Sequence, residues 1–286
     1  AMLVEAETGT VIFEKNADEQ RPVASVTKIM TLLLTFEALE EGTVSLEDQV
    51  TVSRAAAGQI GSQALLDAGA VYSLKELLKS TIIASANDSA YALAEYLAGT
   101  ETDFVARMNE RAQELGMTDT HFVNCTGLDD GPDAGEHLTT AYDIALMSRE
   151  LLKHERIKEY TTIWMDTVRN GQFGLANTNK LVRFYDGTTG LKTGYTSAAG
   201  YCLSASAERN GMELIAVVLH CDTSPHRFES AKAMLNYGFS NYALAHPPAD
   251  VDIPAVPVVL GRAETVTPEA HETQPVLIDK ALASQV

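Results

Sequence analysis

Cysteine is scarce in this chain: three in 286 residues, at Cys125, Cys202 and Cys221. No CxxC pair occurs, so neither a disulfide framework nor a zinc ribbon is on offer, and whether Cys202 and Cys221 pair is open. Basic residues are few as well. Lys and Arg number 21 against 39 Asp and Glu, a net charge of −18, which counts against nucleic-acid binding, because phosphate neutralisation needs clustered cations. The same acidity argues against adhesion to anionic lipid. Long apolar runs are missing too. The longest, residues 30–36, is interrupted by Thr31 and Thr35 and is far too short to span a bilayer. No export leader is visible, but Met2-Leu3-Val4 already reads as a strand, so a trimmed native N-terminus is expected.

The composition is globular: 45% apolar residues with 7% aromatic, which excludes a wholly disordered chain despite the charge. Residues 1–6 and 10–15 read as a hairpin around Gly9. After Pro22 comes a helix that is apolar nearly all round (Ile29, Met30, Leu32, Leu33, Phe36), the mark of a buried helix, ending at Gly42. Further helices are expected over 73–85, 91–97, 104–115 and 140–152, with a polar turn at 85–89 and a loop at 126–138. The period then changes, and residues 190–196, 201–207 and 213–220 read as three strands, closed by a helix over 227–235. Strands at both ends with helices between them make an α+β fold, an antiparallel sheet of N-terminal hairpin plus late strands covered by helices. Beyond Phe239, prolines multiply and Val251, Ile253, Val256 and Val258 suggest β structure. The expected domains are 1–239 and a small β-rich segment, 240–286.

Three short patterns stand in order: Ser25-Val26-Thr27-Lys28, Ser85-Ala86-Asn87 and Lys192-Thr193-Gly194. Each is weak alone. Ser25 stands where a helix N-cap would. Lys28, one turn on, falls among apolar residues where a charge has little reason to be. A lysine kept from water loses its proton readily, and the neutral amine can then deprotonate a neighbouring serine. Ser85 offers a hydroxyl for proton relay and Asn87 an amide to orient Lys28 or substrate. Lys192 and Thr193 on an edge strand can bind a carboxylate while the strand accepts an extended peptide, and Gly194 permits close approach.

Together these patterns resemble the signature elements of the penicillin-recognising serine enzymes. The longer strings Pro22-Val23-Ala24-Ser25-Val26-Thr27-Lys28-Ile29-Met30-Thr31, Leu191-Lys192-Thr193-Gly194-Tyr195-Thr196 and Asn236-Tyr237-Gly238-Phe239 resemble the low-molecular-mass D-alanyl-D-alanine carboxypeptidases. The resemblance covers about residues 1–240. It implies a β-lactamase/transpeptidase-like fold with a helical subdomain, Ser25 as nucleophile, Lys28 as base, and Ser85 and Asn87 on the cleft's second wall. It further implies an oxyanion hole from the amides of Ser25 and Tyr195, with Thr196 and Arg227 helping to hold the substrate's terminal carboxylate. The implied substrates are peptidoglycan stem peptides ending in D-Ala-D-Ala, the implied inhibitors β-lactams, and no metal or cofactor is called for. The implied place is outside the cytoplasmic membrane, with any membrane attachment left to segments absent from these residues.

Two rivals share the motifs. A β-lactamase would need a second base for deacylation, and Glu136 lacks the Glu-x-x-Leu-Asn setting. A non-catalytic penicillin sensor would acylate without turning over. The acidic residues Asp129, Asp130, Asp133 and Glu136 do not fit an EF-hand and read as a solvated loop.

Overall fold

The computed structural model describes residues 1–247, 254–268 and 274–282. β1 (Met2–Glu5) and β2 (Val11–Glu14) form the N-terminal hairpin. A 3₁₀ turn (Ala24–Thr27) runs straight into α1 (Lys28–Glu40), which is buried over most of its first three turns. There follow β3 (Gln49–Thr51), α2 (Arg54–Ala57), β4 (Val71–Ser73), α3 (Leu74–Ile83), α4 (Asn87–Ala98), α5 (Glu101–Glu114) and α6 (Ala141–Lys153). α3 opens on a reciprocal cap in which Ser73 Oγ accepts from Glu76 N and the Glu76 carboxylate accepts from Ser73 N. After α7 (Lys158–Thr161), the hairpin β5 (Met165–Val168) and β6 (Phe173–Ala176), and α8 (Leu181–Phe184) come three long strands. These are β7 (Thr188–Thr196), β8 (Gly200–Arg209) and β9 (Met212–Cys221), followed by α9 (Ser224–Asn241).

The hairpin and the late strands join as expected into one antiparallel sheet of order β2-β1-β9-β8-β7. β7 is therefore an edge strand. Met2, Val4, Ile215 and Val217 face the main core, where α1 contributes Ile29, Met30, Leu33 and Phe36, α5 Phe104 and Met108, and α6 Ile144, Met147 and Leu151. By strand alternation Leu3 and Leu214 face the other way. They meet α9, where a Cβ added to Gly238 would lie 2.5 Å from Leu214 and 3.3 Å from Leu3. A smaller core joins Val50 and Tyr72 of the β3–β4 hairpin to Leu77 and Leu93.

Several boundaries differ from the sequence reading. The hairpins β3–β4 and β5–β6 were not anticipated, because strands of three or four residues are too short to display alternation. The polar turn is shorter than 85–89: α4 already begins at Asn87, and Asp88 and Ser89 lie in its first turn, where such residues suit the unpaired N–H groups and the dipole. α5 starts three residues early, at Glu101, because Thr100 caps it through Asp103 N. The closing helix starts three residues early, at Ser224, so Arg227 ends its first turn instead of opening it. The loop 126–138 contains a 3₁₀ turn, Ala134–Glu136.

The chain divides into two compact units, Ala1–Gly238 and Phe239–Val286. The second contains β10 (Tyr242–Ala245), β11 (Val256–Pro257), β12 (Thr265–Val266) and β13 (Val276–Asp279), with β10 paired to β13 and β11 to β12. Val251 and Ile253, part of the expected β stretch, lie outside the described residues. Among the described residues no helix is long and apolar enough to cross a membrane. Cys202 and Cys221 are free thiols.

Candidate active site

The turn that carries Ser25 is gripped from two sides. Gly127, at φ +81°, faces it so closely that a Cβ would lie 1.9 Å from Ala24 O. On the other side a Cβ on Gly194 of β7 would lie 2.5 Å from Val23 O and 3.1 Å from Ser25 N. Ala24 itself is held at φ +50°, a left-handed conformation that costs a non-glycine residue about 1–3 kcal/mol and persists only where its surroundings impose it. Ser25 is not a helix cap. Thr27 precedes the first α-helical residue and no side chain caps that end, so the Ser25 hydroxyl is free for another use. It accepts from Lys28 Nζ at 2.8 Å.

Lys28 is 0% exposed and ranks among the largest fully buried side chains. Its Nζ also donates to Asn87 Oδ1 at 2.6 Å and to Thr126 O at 2.8 Å. Burial pulls its pKa down to about 7, with Cys125 and Asp88 acting in the opposite direction. The three partners matter for the protonation state. Asn87 Oδ1 and Thr126 O can only accept, so each keeps one N–H of the amine. When the ammonium loses a proton, the lone pair is left facing Ser25 Oγ. The cage aims the base.

A second lysine lies opposite. Lys192, on β7 and 1% exposed, donates to Ser85 Oγ at 2.8 Å and to Thr193 O at 2.9 Å. Its pKa is driven well below the lysine range by burial, with repulsion from Lys28 and Arg227 adding to it. Ser85 is held at φ +61°. Two residues on, Asn87 donates from Nδ2 to Ile60 O at 2.6 Å and from its backbone to Ser62 O at 2.7 Å. Thr193 Oγ1 donates to Thr178 Oγ1 at 2.7 Å. Farther along β7, Thr196 Oγ1 accepts from Ala199 N, and the ring of Tyr195 stacks on Tyr201 with centroids 4.2 Å apart. Arg227 bonds the backbone here, donating from one terminal nitrogen to Gly194 O at 2.9 Å and Cys202 O at 3.3 Å. Its Nε is buried without an acceptor.

The structure thus brings Ser25, Lys28 and Asn87 into one hydrogen-bonded group and Ser85, Lys192 and Thr193 into another. Gly194 lies against the serine turn, while Tyr195, Thr196 and Arg227 continue the β7 side. Sequence reasoning missed Thr126, Gly127, Thr178 and the 60–62 carbonyls. Backbone acceptors leave no trace in residue type, and Gly127 sat in a loop recognised only by its composition. Asp129, Asp130, Asp133 and Glu136 are exposed, as a solvated loop requires.

His137, buried in that same loop, was also missed. Its Nδ1 accepts from Val123 N at 3.1 Å, which places the ring proton on Nε2, 2.7 Å from Thr27 Oγ1. Burial lowers its pKa to about 4, with repulsion from His121 adding to it. The unfolded chain binds that proton near pH 6.5, so the fold loses stability as pH falls from 6.5 through 4, by about 3 kcal/mol in total. Denaturant titrations across this range are expected to show the loss in wild type and a smaller one in His137→Gln.

The chain belongs to the D-alanyl-D-alanine carboxypeptidase family, whose profile matches residues 1–223. It is 45% identical over 250 residues to the D-alanyl-D-alanine carboxypeptidase DacF of Bacillus subtilis, covering 86% of this chain and 63% of DacF. It is 36% identical to DacC of Escherichia coli, with 86% and 62% covered. The chain therefore spans somewhat under two thirds of these relatives. Among solved structures, penicillin binding protein 5 from Haemophilus influenzae superposes with a TM-score of 0.89 at 30% identity, covering 99% of this chain and 83% of that one. PBP3 of Streptococcus pneumoniae, described as a peptidoglycan synthesis regulatory factor, gives 0.84 at 31% identity, with 98% and 84% covered. Both bear out the expected fold class.

Proposed function

We propose that this chain is a serine-type D-Ala-D-Ala carboxypeptidase, with catalysis carried by residues 1–239 and a β-rich domain beginning at 240. The observation that carries the reading is the buried amine of Lys28, poised near neutrality 2.8 Å from Ser25 Oγ. Ser25 Oγ attacks the carbonyl between the last two D-alanines of a stem peptide while Lys28 takes the hydroxyl proton. The oxyanion is received by the amides of Ser25 and Tyr195. As the C–N bond breaks, Ser85 relays to the departing amine of D-alanine the proton that Lys28 took, giving up its own O–H proton as it receives that one, so Lys28 is again a neutral amine. Water then hydrolyses the ester on Ser25.

Lys192, Thr193, Thr196 and Arg227 hold the terminal carboxylate in this scheme. The charge of the Arg227 guanidinium, which stays protonated at any working pH, close to Lys192 in a chain of net charge −18, supports that role. Edge strand β7 suits an extended peptide. Because peptidoglycan lies outside the cytoplasmic membrane, export of the native protein follows from this substrate. β-Lactams inhibit by leaving a long-lived ester on Ser25.

The test is D-alanine release from a peptide ending in Lys-D-Ala-D-Ala, run beside penicillin hydrolysis and mass mapping of the penicillin adduct. Release with slow penicillin turnover and an adduct on Ser25 is expected. Fast penicillin hydrolysis without release would make the chain a β-lactamase, although Glu136 is exposed on its 3₁₀ turn. A stable adduct with neither turnover would make it a penicillin sensor.

A further inference from the structure

Asp88 follows Asn87 in the first turn of α4 and has no exposed surface. A carboxylate buried this deeply is costly unless hydrogen bonds replace its water. Backbone N–H groups do so. Oδ1 accepts from Ala64 N at 3.0 Å and Ser89 N at 2.9 Å, and Oδ2 accepts from Ala64 N at 3.1 Å and Leu66 N at 3.0 Å. The helix N-terminus adds its dipole. The segment held in this way, residues 60–66, supplies the two carbonyls that fix Asn87, Ile60 O and Ser62 O. Leu65 within it is kept at φ +55°, so the loop's shape is imposed from outside. From the solvent side Arg169 donates to Leu65 O at 2.6 Å and pairs with Asp67 at 2.6 Å.

We propose that Asp88 is a positioning residue for this site: its carboxylate locks the 60–66 loop onto α4 and thereby aims Asn87 Oδ1 at Lys28 Nζ. The inference rests on the reading of Lys28 as the base. Asp88 has no hydrogen bond to Ser25 or Ser85 and acts through Asn87 and through its charge. The groups facing Lys28 are Asp88 on α4, Cys125 ahead of Thr126 with Glu101 of α5 behind it, and Lys192 on β7 with Arg227 beyond. Burial alone would leave Lys28 a feeble base. A nearby anion restores proton affinity and keeps the amine poised close to working pH. Asn cannot replace Asp88, because one of its two polar atoms is an NH₂ that would meet the N–H donors of the loop.

The experiment measures the penicillin acylation rate of the whole chain from pH 5 to 9 for wild type, Asp88→Asn and Arg169→Ala, with the melting temperature of each. Asp88→Asn is expected to lower the high-pH plateau about 10²-fold, the usual scale for a misplaced catalytic group, and to move the midpoint down by about half a unit or more. Arg169→Ala, which only loosens the loop, should lower the plateau a few-fold at an unmoved midpoint. Wild-type behaviour in Asp88→Asn overturns the proposal. So does a lowered plateau with an unshifted midpoint, which would mark a purely structural role. If Asp88→Asn fails to fold, Arg169→Ala decides, and unchanged acylation there overturns the loop's part. A wild type that never acylates sinks the lysine-base reading itself.

Discussion

Lys28→Arg is expected to bring penicillin acylation down to the floor set by Ser25→Ala, about 10⁴-fold or more below wild type. The substitution keeps a cation beside Ser25 but abolishes its ability to give up a proton, since a guanidinium stays protonated at any working pH. The pH profile makes the same point from the other side. With Lys28 poised at about 7, acylation by wild type should climb about tenfold per unit below pH 7 and level off above it, because only the neutral amine accepts the serine proton. Arginine should give a flat, low line. Lys28→Gln, smaller and uncharged, guards against a fold disturbed by the bulkier side chain, and melting temperatures separate loss of structure from loss of chemistry. Retention of a tenth of the wild-type rate in either variant would remove Lys28 as the base.

Lys28 was legible in the sequence because a charge among Ile29, Met30 and Leu32 contradicts the helix around it, and such contradictions gather at functional sites. Ser85-Ala86-Asn87 and Lys192-Thr193-Gly194 were legible as strings, and the sheet was legible because its three late strands are long enough to show alternation. What stayed hidden was the support. The Thr126 carbonyl that keeps one Lys28 proton, and the Ile60 and Ser62 carbonyls that anchor Asn87, are backbone groups carried by any residue type. Their contribution depends on chain path, which local patterns do not encode. The N-cap expectation for Ser25 failed for a related reason. The turn around it is shaped by glycines from far along the chain, Gly127 and Gly194.

Gly127→Ala is therefore expected to have the second large effect, a loss of acylation of about 10²-fold or more from a single added methyl group. Two costs coincide at this position. The φ of +81° is a region where a Cβ is strained by about 1–2 kcal/mol. The Cβ would also stand 1.9 Å from Ala24 O and 2.8 Å from Thr27 Oγ1, far inside contact distance, so one of the two backbones must move. Moving the 124–128 loop withdraws Thr126 O from Lys28 Nζ, and moving Ala24 displaces the residue next to the nucleophile. Neither retreat spares the 2.8 Å contact between Lys28 and Ser25. Gly135→Ala tests the specificity of the argument, because that glycine lies in the same loop with nothing within 4 Å of its Cβ position and no positive φ. It should acylate like wild type. Equal rates for Gly127→Ala and Gly135→Ala would mean that the serine turn does not depend on the loop behind it. A loss confined to Gly127→Ala in a protein that still melts cooperatively would make a glycine with no chemistry of its own part of what holds Ser25 in place.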